Sequence, residues 1–232
     1  MPGDRQPLSR PAILRTAVGY ADEHGLTALT MRRLGQVLGV EAMSLYYHVN
    51  GREDLLEGMV SEIVSAVRLP APDDLGPQEH WQVFLQFVAH EVRSVAVAHP
   101  NLFPLVATRP PTAPWLRPPL RSLDLVEDFL SGLVARGLPD DAAVQVYKVF
   151  TSFLLGQLLL EVSQLGAQTG PPEEPLDEGG AHVLVHSSQK EDPAPGPTVR
   201  RLQDQLAHHD TQAEFEQALE ALLDRLDREL SQ

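Results

Sequence analysis

Residues 29–56, LTMRRLGQVLGVEAMSLYYHVNGREDLL, decide how this chain is read. The apolar residues Leu29, Leu34, Val37 and Leu38 fall at helical spacing, and Gly39-Val40 then interrupts the pattern. A second short helix, over roughly residues 41–48, carries Leu45 and Val49 before Asn50-Gly51 stops the chain again. Two short helices joined by a tight turn with a glycine form a helix-turn-helix unit, whose second helix can lie in the major groove of DNA.

The flanks complete a small helical unit. Upstream, Ile13, Leu14, Ala17, Val18 and Ala21 share one face of a helix, with Ser9 as its N-cap, Pro11 in its first turn and Gly25 at its end. Thr27 and Thr30 are candidate caps for the helix that follows. Downstream, residues 52–68 carry Leu55, Leu56, Met59, Val60, Ile63, Val64 and Val67, with Glu53 and Asp54 at the positive end of the helix dipole. Three prolines, two aspartates and a glycine over residues 69–77 mark a break. The expected division is therefore 1–68, a DNA-binding domain, and 69–232, a larger domain.

Helical patterns dominate the larger part, over residues 80–98, 100–108, 115–136, 140–164, 199–207 and 213–230. The predicted fold class is all-α. Proline, glycine and acidic residues dominate much of 164–197, which reads as a mobile loop, with 181–188 its only candidate extended segment. The helix over 140–164 is apolar nearly all round (Val144, Val146, Val149, Phe150, Phe153, Leu154, Leu155, Leu158, Leu159, Leu160, Val162) and needs cover on every side. Together with the striped helix over 213–230 it predicts a homodimer built on a four-helix interface.

Composition narrows the function classes. The chain has 232 residues, 43% hydrophobic and 22% charged, and no cysteine, so disulfides and thiolate metal sites are ruled out. Neither a signal peptide nor a membrane span is expected, and the expected location is the cytoplasm. The net charge of −14 is unpromising for nucleic acid when taken globally. Residues 1–68, however, hold seven arginines against eight acidic side chains, leaving 11 basic and 24 acidic side chains to the remainder. Contact is decided by the local patch, where Arg5, Arg10, Arg32, Arg33 and Arg52 cluster on or beside the helix-turn-helix.

Against the pattern T-x-R-x-L-(A/G)-x-x-L-G-V-x-x-x-(S/T)-L-Y-x-H-V, the chain reads Thr30, Arg32, Leu34, Gly35, Leu38, Gly39, Val40, Ser44, Leu45, Tyr46, His48 and Val49. On these residues it resembles the tetracycline-repressor (TetR) family of transcriptional regulators. A looser likeness to the tetracycline-repressor subgroup runs through Thr108-Arg109-Pro110 and the pattern around 209–223. The resemblance implies an all-helical homodimer, an N-terminal DNA-binding domain that grips a near-palindromic operator, and a C-terminal pocket whose small-molecule ligand releases the DNA. It places Arg32 on base or phosphate, Ala42, Met43 and Ser44 at base-reading positions, and Tyr46, Tyr47, His48 and Arg52 on the phosphate backbone. The chemistry agrees: arginine can grip guanine, small apolar groups can meet a thymine methyl, and phosphate contacts set register. Gly35 and Gly39 are structural, for close helix approach and the turn.

The resemblance also points to a pocket lined by Phe84, Phe87, His90, Phe103, Leu105, Trp115, Val126, Phe129, Tyr147, Phe150 and Leu154, with His90 and Gln157 as its polar groups. Such a lining suits a small molecule. In tetracycline-binding members, a histidine just before Thr-Arg-Pro helps to hold a magnesium–drug chelate. Leu105 stands at that position here, and Phe87 stands at a polar drug-contacting position, so magnesium–tetracycline is not the expected effector. No metal, cofactor or enzymatic activity is expected, because the sequence shows no phosphate loop, nucleophile elbow or H-E-x-x-H pair. The rival reading is a helical protein-interaction module that does not bind DNA.

Overall fold

The computed structural model describes residues 8–70, 80–108, 113, 116, 122–167 and 196–230. Every regular element among them is helical, in the order α1 (Arg10–His24), a single 3-10 turn (Leu26–Ala28), α2 (Met31–Leu38), α3 (Ala42–Leu45), α4 (Arg52–Val64), α5 (Trp81–Ala98), α6 (Phe103–Thr108), α7 (Leu123–Val134), α8 (Asp140–Gln164), α9 (Pro197–Ala207) and α10 (Thr211–Leu230).

The local reasons are legible residue by residue. Ser9 caps α1, its hydroxyl accepting from the Ala12 N–H. Thr30 caps α2 through the Arg33 N–H at 3.1 Å, whereas Thr27 makes no such contact with a helix start. Gly39 closes α2 in the left-handed region at φ 68°, which a side chain would disfavour. After α4, Leu69 stands directly before Pro70, a position that favours extended backbone over helix.

Several boundaries differ from the sequence expectation. The recognition helix is one turn, Ala42–Leu45, and 46–48 continue it only as a turn held by Leu45 O, which accepts from the His48 and Val49 N–H groups. The helix expected over 52–68 ends at Val64, leaving Val67 outside it, and α7 begins only at Leu123. Val37, at helical spacing with Leu34, is 54% exposed. The loop expected over 164–197 is bounded by order at both ends, with Ala167 buried and Pro197 opening α9. The candidate extended segment at 181–188 and most of that loop lie outside the described residues.

Packing follows from these faces. α1 lies against α2 and α4, and α2 against α3, burying Ile13, Ala17, Leu34, Leu45, Leu56 and Met59. α8 is the axis of the second group, touched by α5, α6, α7 and α10. By length and composition α8 could cross a membrane, but one side of it is core in this chain, with Phe150, Leu154, Leu158 and Val162 buried. Its buried carboxylate, Glu161, meets Arg93 of α5, whose Nε lies 3.0 and 3.1 Å from the two oxygens and whose Nη2 lies at 2.7 Å. Nη1 donates to Gln212 of α10, and the guanidinium sits 5.0 Å over the Phe215 ring. One arginine thus ties three helices together.

The two groups meet at α6, which packs on α4 and α8, and at the end of α1. There the Asn101 amide donates to the carbonyls of Ala21 and Asp22 at 3.0 and 3.3 Å, and His99 Nδ1 lies 2.8 Å from an Asp22 carboxylate oxygen. Burial pushes the Asp22 carboxyl up, and the hydrogen bond with His99 pulls it partly back.

Candidate DNA-contact surface and effector cavity

α3 is too short to hold itself, so its neighbours position it. A Cβ on Gly35 of α2 would lie 2.9 Å from Val40 O and 3.2 Å from Ala42 N, so the bare backbone is what allows α2 and α3 to approach. From the other side, Arg10 of α1 makes a forked pair with Asp54 of α4, at 2.9 and 2.7 Å, and also donates to the His48 carbonyl at 3.0 Å. Asp54 further accepts from the Asn50 N–H at 2.7 Å. The end of the recognition element and the start of α4 are therefore knotted to α1. The sequence alone shows Asp54 only at the positive end of the helix dipole, since its partner lies 44 residues away in the chain.

Arg10 and the Asn50 N–H hold the Asp54 carboxyl at about 2, below its usual 3.8. A depressed folded-state value stabilises above the unfolded value near 4, and that stability is lost as pH falls from about 4 towards 2. With Arg10 41% and Asp54 25% exposed, solvent screening reduces the contribution to about 1 kcal/mol. Acid titration of Asp54→Asn followed by circular dichroism is expected to show a variant about 1 kcal/mol less stable than wild type at pH 7, with the difference shrinking from about pH 4 and vanishing below the folded-state value of about 2.

The predicted DNA-contact residues separate into two sets. Met43 is 72% exposed, Tyr47 89% and Tyr46 47%; Arg32 is exposed, and Ala42, Ser44 and His48 are half-buried beside them. These seven lie on or next to α2 and α3. Arg52 is turned elsewhere: its guanidinium donates to the carbonyls of Leu29 and Leu26, the latter at 3.2 Å, tying α4 to the segment before α2. Carbonyls left by the 3-10 turn supply acceptors that the sequence pattern does not show.

The predicted pocket is reorganised more heavily. A small cavity of about 30 Å³ lies between Val88 and Val92 of α5, Leu125 and Phe129 of α7, Phe150, Thr151, Leu154 and Leu155 of α8, and Leu69 of the linker. Of the predicted lining, Phe129, Phe150 and Leu154 are present. Phe84 and Tyr147 stand behind Phe129, at ring separations of 5.9 and 5.7 Å, and Phe150 stacks on it at 5.7 Å. Phe103, Leu105 and Val126 are buried core outside the wall, and Trp115 lies outside the described residues.

Phe87, His90 and Gln157 lie outside this cavity. Val88 and Val92 are the residues of α5 that face the cavity, and a step of 100° per residue carries Phe87 and His90 away from it. Phe87 is 38% exposed. His90 lies 3.6 Å from Glu216 and lines an open groove of about 690 Å³ with Arg93 and Glu161. Gln157 is half-buried and not on the cavity wall. The residues missed, Leu69, Val88, Val92, Leu125, Thr151 and Leu155, carried no signal beyond apolar spacing, apart from Thr151 within an apolar run.

Fold and surface together define an all-helical protein with a helix-turn-helix unit at one end and an aromatic-walled cavity in the other helix group. Residues 71–230 match the family described as "Tetracyclin repressor-like, C-terminal domain", and the chain belongs to that family. It is 29% identical over 166 residues to the HTH-type transcriptional repressor DrrR1 of Streptomyces coeruleorubidus, covering 72% of this chain and 58% of that protein. It is 34% identical to an HTH-type transcriptional regulator of Saccharopolyspora erythraea, covering 66% of this chain and 61% of that protein. The chain thus spans about three-fifths of these two relatives. The Escherichia coli tetracycline repressor class D is 28% identical over 78% of this chain and 79% of its own length. The structure of ActR, a TetR family protein of Streptomyces coelicolor solved with actinorhodin, superposes with a TM-score of 0.68 at 26% identity, covering 98% of this chain and 100% of that one.

Proposed function

We propose that this protein is a homodimeric transcriptional repressor that binds a near-palindromic DNA operator and is released from it by a small-molecule effector. The observation that carries the reading is Met43 and Tyr47, large apolar and aromatic side chains held out in water at 72% and 89% exposure beside Arg32, on a turn of helix that three neighbours brace. With Val37 at 54% and Tyr46 at 47% beside them they gather apolar and aromatic groups in one exposed area, as surfaces that meet a partner do.

In this proposal residues 1–68 form the DNA-binding domain and 69–232 the effector and dimer domain. Met43 meets bases, Tyr46, Tyr47 and His48 contact phosphates, and Arg52 positions α4. The dimer forms through α8 and α10, because Val149, Gly156 and Leu160 leave an apolar, small-residue strip of α8 exposed in the single chain, Leu160 by 64%. Two recognition turns would then lie in successive major grooves, roughly 34–36 Å apart. The protein acts in the cytoplasm, where its operator is, and no catalytic step is assigned to it.

The test is fluorescence anisotropy with DNA flanking its own gene, across a salt series, with light scattering for the assembly. A dimer binding one fragment specifically, with affinity falling steeply with salt, is the expected result. Tyr47→Ala is expected to weaken binding about tenfold for every sequence alike, as loss of a phosphate contact does. Salt-insensitive binding, or none, favours the protein-interaction module, and a monomer at micromolar concentration defeats the two-groove arrangement.

A further inference from the structure

The cavity holds about 30 Å³, whereas drug-sized ligands occupy sites of roughly 300–1,000 Å³. No effector fits without displacing part of the wall. Val88, Val92, Phe150 and Leu154 belong to helix interiors packed on α8 or part of it, and they cannot retreat without moving whole helices. Leu69 differs: it is half-buried, lies outside any helix, and follows the end of α4 by five residues. Leu125, in the first turn of α7, and Val92, inside α5, are the other half-buried wall residues, but both are held in helices.

Both leucines sit on segments joined to the DNA-binding unit. Ser122 and Asp124, just before Leu125, line a groove of about 490 Å³ with Gly58, Ser61 and Val64 of α4 and with Arg10. That arginine also grips Asp54 and the His48 carbonyl. Displacement at Leu69 therefore acts on the chain that leads directly into α4, whose last residue lies five positions before it.

The wall also selects chemistry. Among the described residues Thr151 is its only polar side chain and none is charged, so an ionised ligand would lose its hydration with no compensating charge from them. Stacked Phe129 and Phe150 favour a flat ring system. We infer that the effector is an uncharged aromatic compound with a hydroxyl or carbonyl for Thr151, and that it enters by displacing Leu69, the plug whose movement transmits binding to α4. This rests on the repressor reading above and specifies its ligand class and its moving part.

The probes are 1-naphthol, naphthalene and 1-naphthoate, applied to the full chain at pH 8 and read by calorimetry and by anisotropy of labelled operator. Naphthol is expected to bind saturably and weaken operator binding, with naphthoate about 100-fold poorer because its carboxylate must be buried unpaired. Thr151→Val is expected to erase the preference for naphthol over naphthalene. Leu69→Ala is expected to bind naphthol about tenfold more tightly, since the plug no longer has to be displaced, while its operator affinity responds less to the bound ligand. Leu69→Trp, which fills the cavity, is expected to bind operator but not naphthol. Equal binding of naphthoate, no saturable naphthol binding, or an unchanged response in both Leu69 variants overturns the inference while leaving the repressor reading intact. Loss of operator binding by the wild type overturns the repressor reading instead.

Discussion

Replacing Arg93 with alanine is expected to cost about 3–5 kcal/mol, because it leaves the Glu161 carboxylate, 5% exposed, inside the helix group without its partner. For a chain of this size that lowers the melting temperature by roughly 10 °C. The same substitution also removes the guanidinium over Phe215 and its bond to Gln212, so α10 loses part of its attachment along with α8. The double variant Arg93→Met, Glu161→Leu is expected to recover most of the loss, since apolar groups of similar volume can replace a buried pair without leaving a bare charge. Thermal unfolding of the two variants checks this. If the single variant loses less than about 1 kcal/mol, the pair behaves as a surface contact and the reading of α8 as a braced core helix fails.

The second large effect is functional. Gly35→Ala is expected to lower operator affinity about 10- to 100-fold while leaving the helical content and the melting of the α5–α8 group nearly unchanged. The added Cβ would stand 2.9 Å from Val40 O and 3.3 Å from Ala42 Cα, and these are backbone atoms, so α3 itself must shift. Overpacking of this kind costs about 1–3 kcal/mol, and a displaced reading turn forfeits base contacts worth a similar amount each. Gly132 provides a control. A Cβ there meets the Phe84 ring at 2.5 Å, far from α3. Gly132→Ala should lower stability without a selective loss of operator affinity. Anisotropy and calorimetry on the two variants separate the effects; equal loss of operator binding in both would contradict the proposed role of α3.

How much of this was legible in the chain differs between its two parts. Residues 29–56 carry their structure in local chemistry: a threonine cap, glycines at fixed offsets, and apolar residues at helical spacing. The helix-turn-helix follows from those residues, although α3 is the single turn Ala42–Leu45 and not the helix expected over 41–48. The all-α class, the extent of α8 and the burial of Phe129 and Phe150 are equally local, because helical periodicity needs no distant partner.

Pairing across the chain is another matter. Nothing near Asp54 announces Arg10, nothing near Arg52 announces the carbonyls of Leu26 and Leu29, and nothing near His90 announces Glu216. The motif around 29–56 was read from sequence as a helix-turn-helix because its instructions lie within a few residues of one another. The cavity, its Leu69 plug and the Arg10 tie exist only once α1, α4, α5, α7 and α8 are packed. Burial and long-range hydrogen bonding depend on which faces meet, and one helical turn of rotation rewrites them.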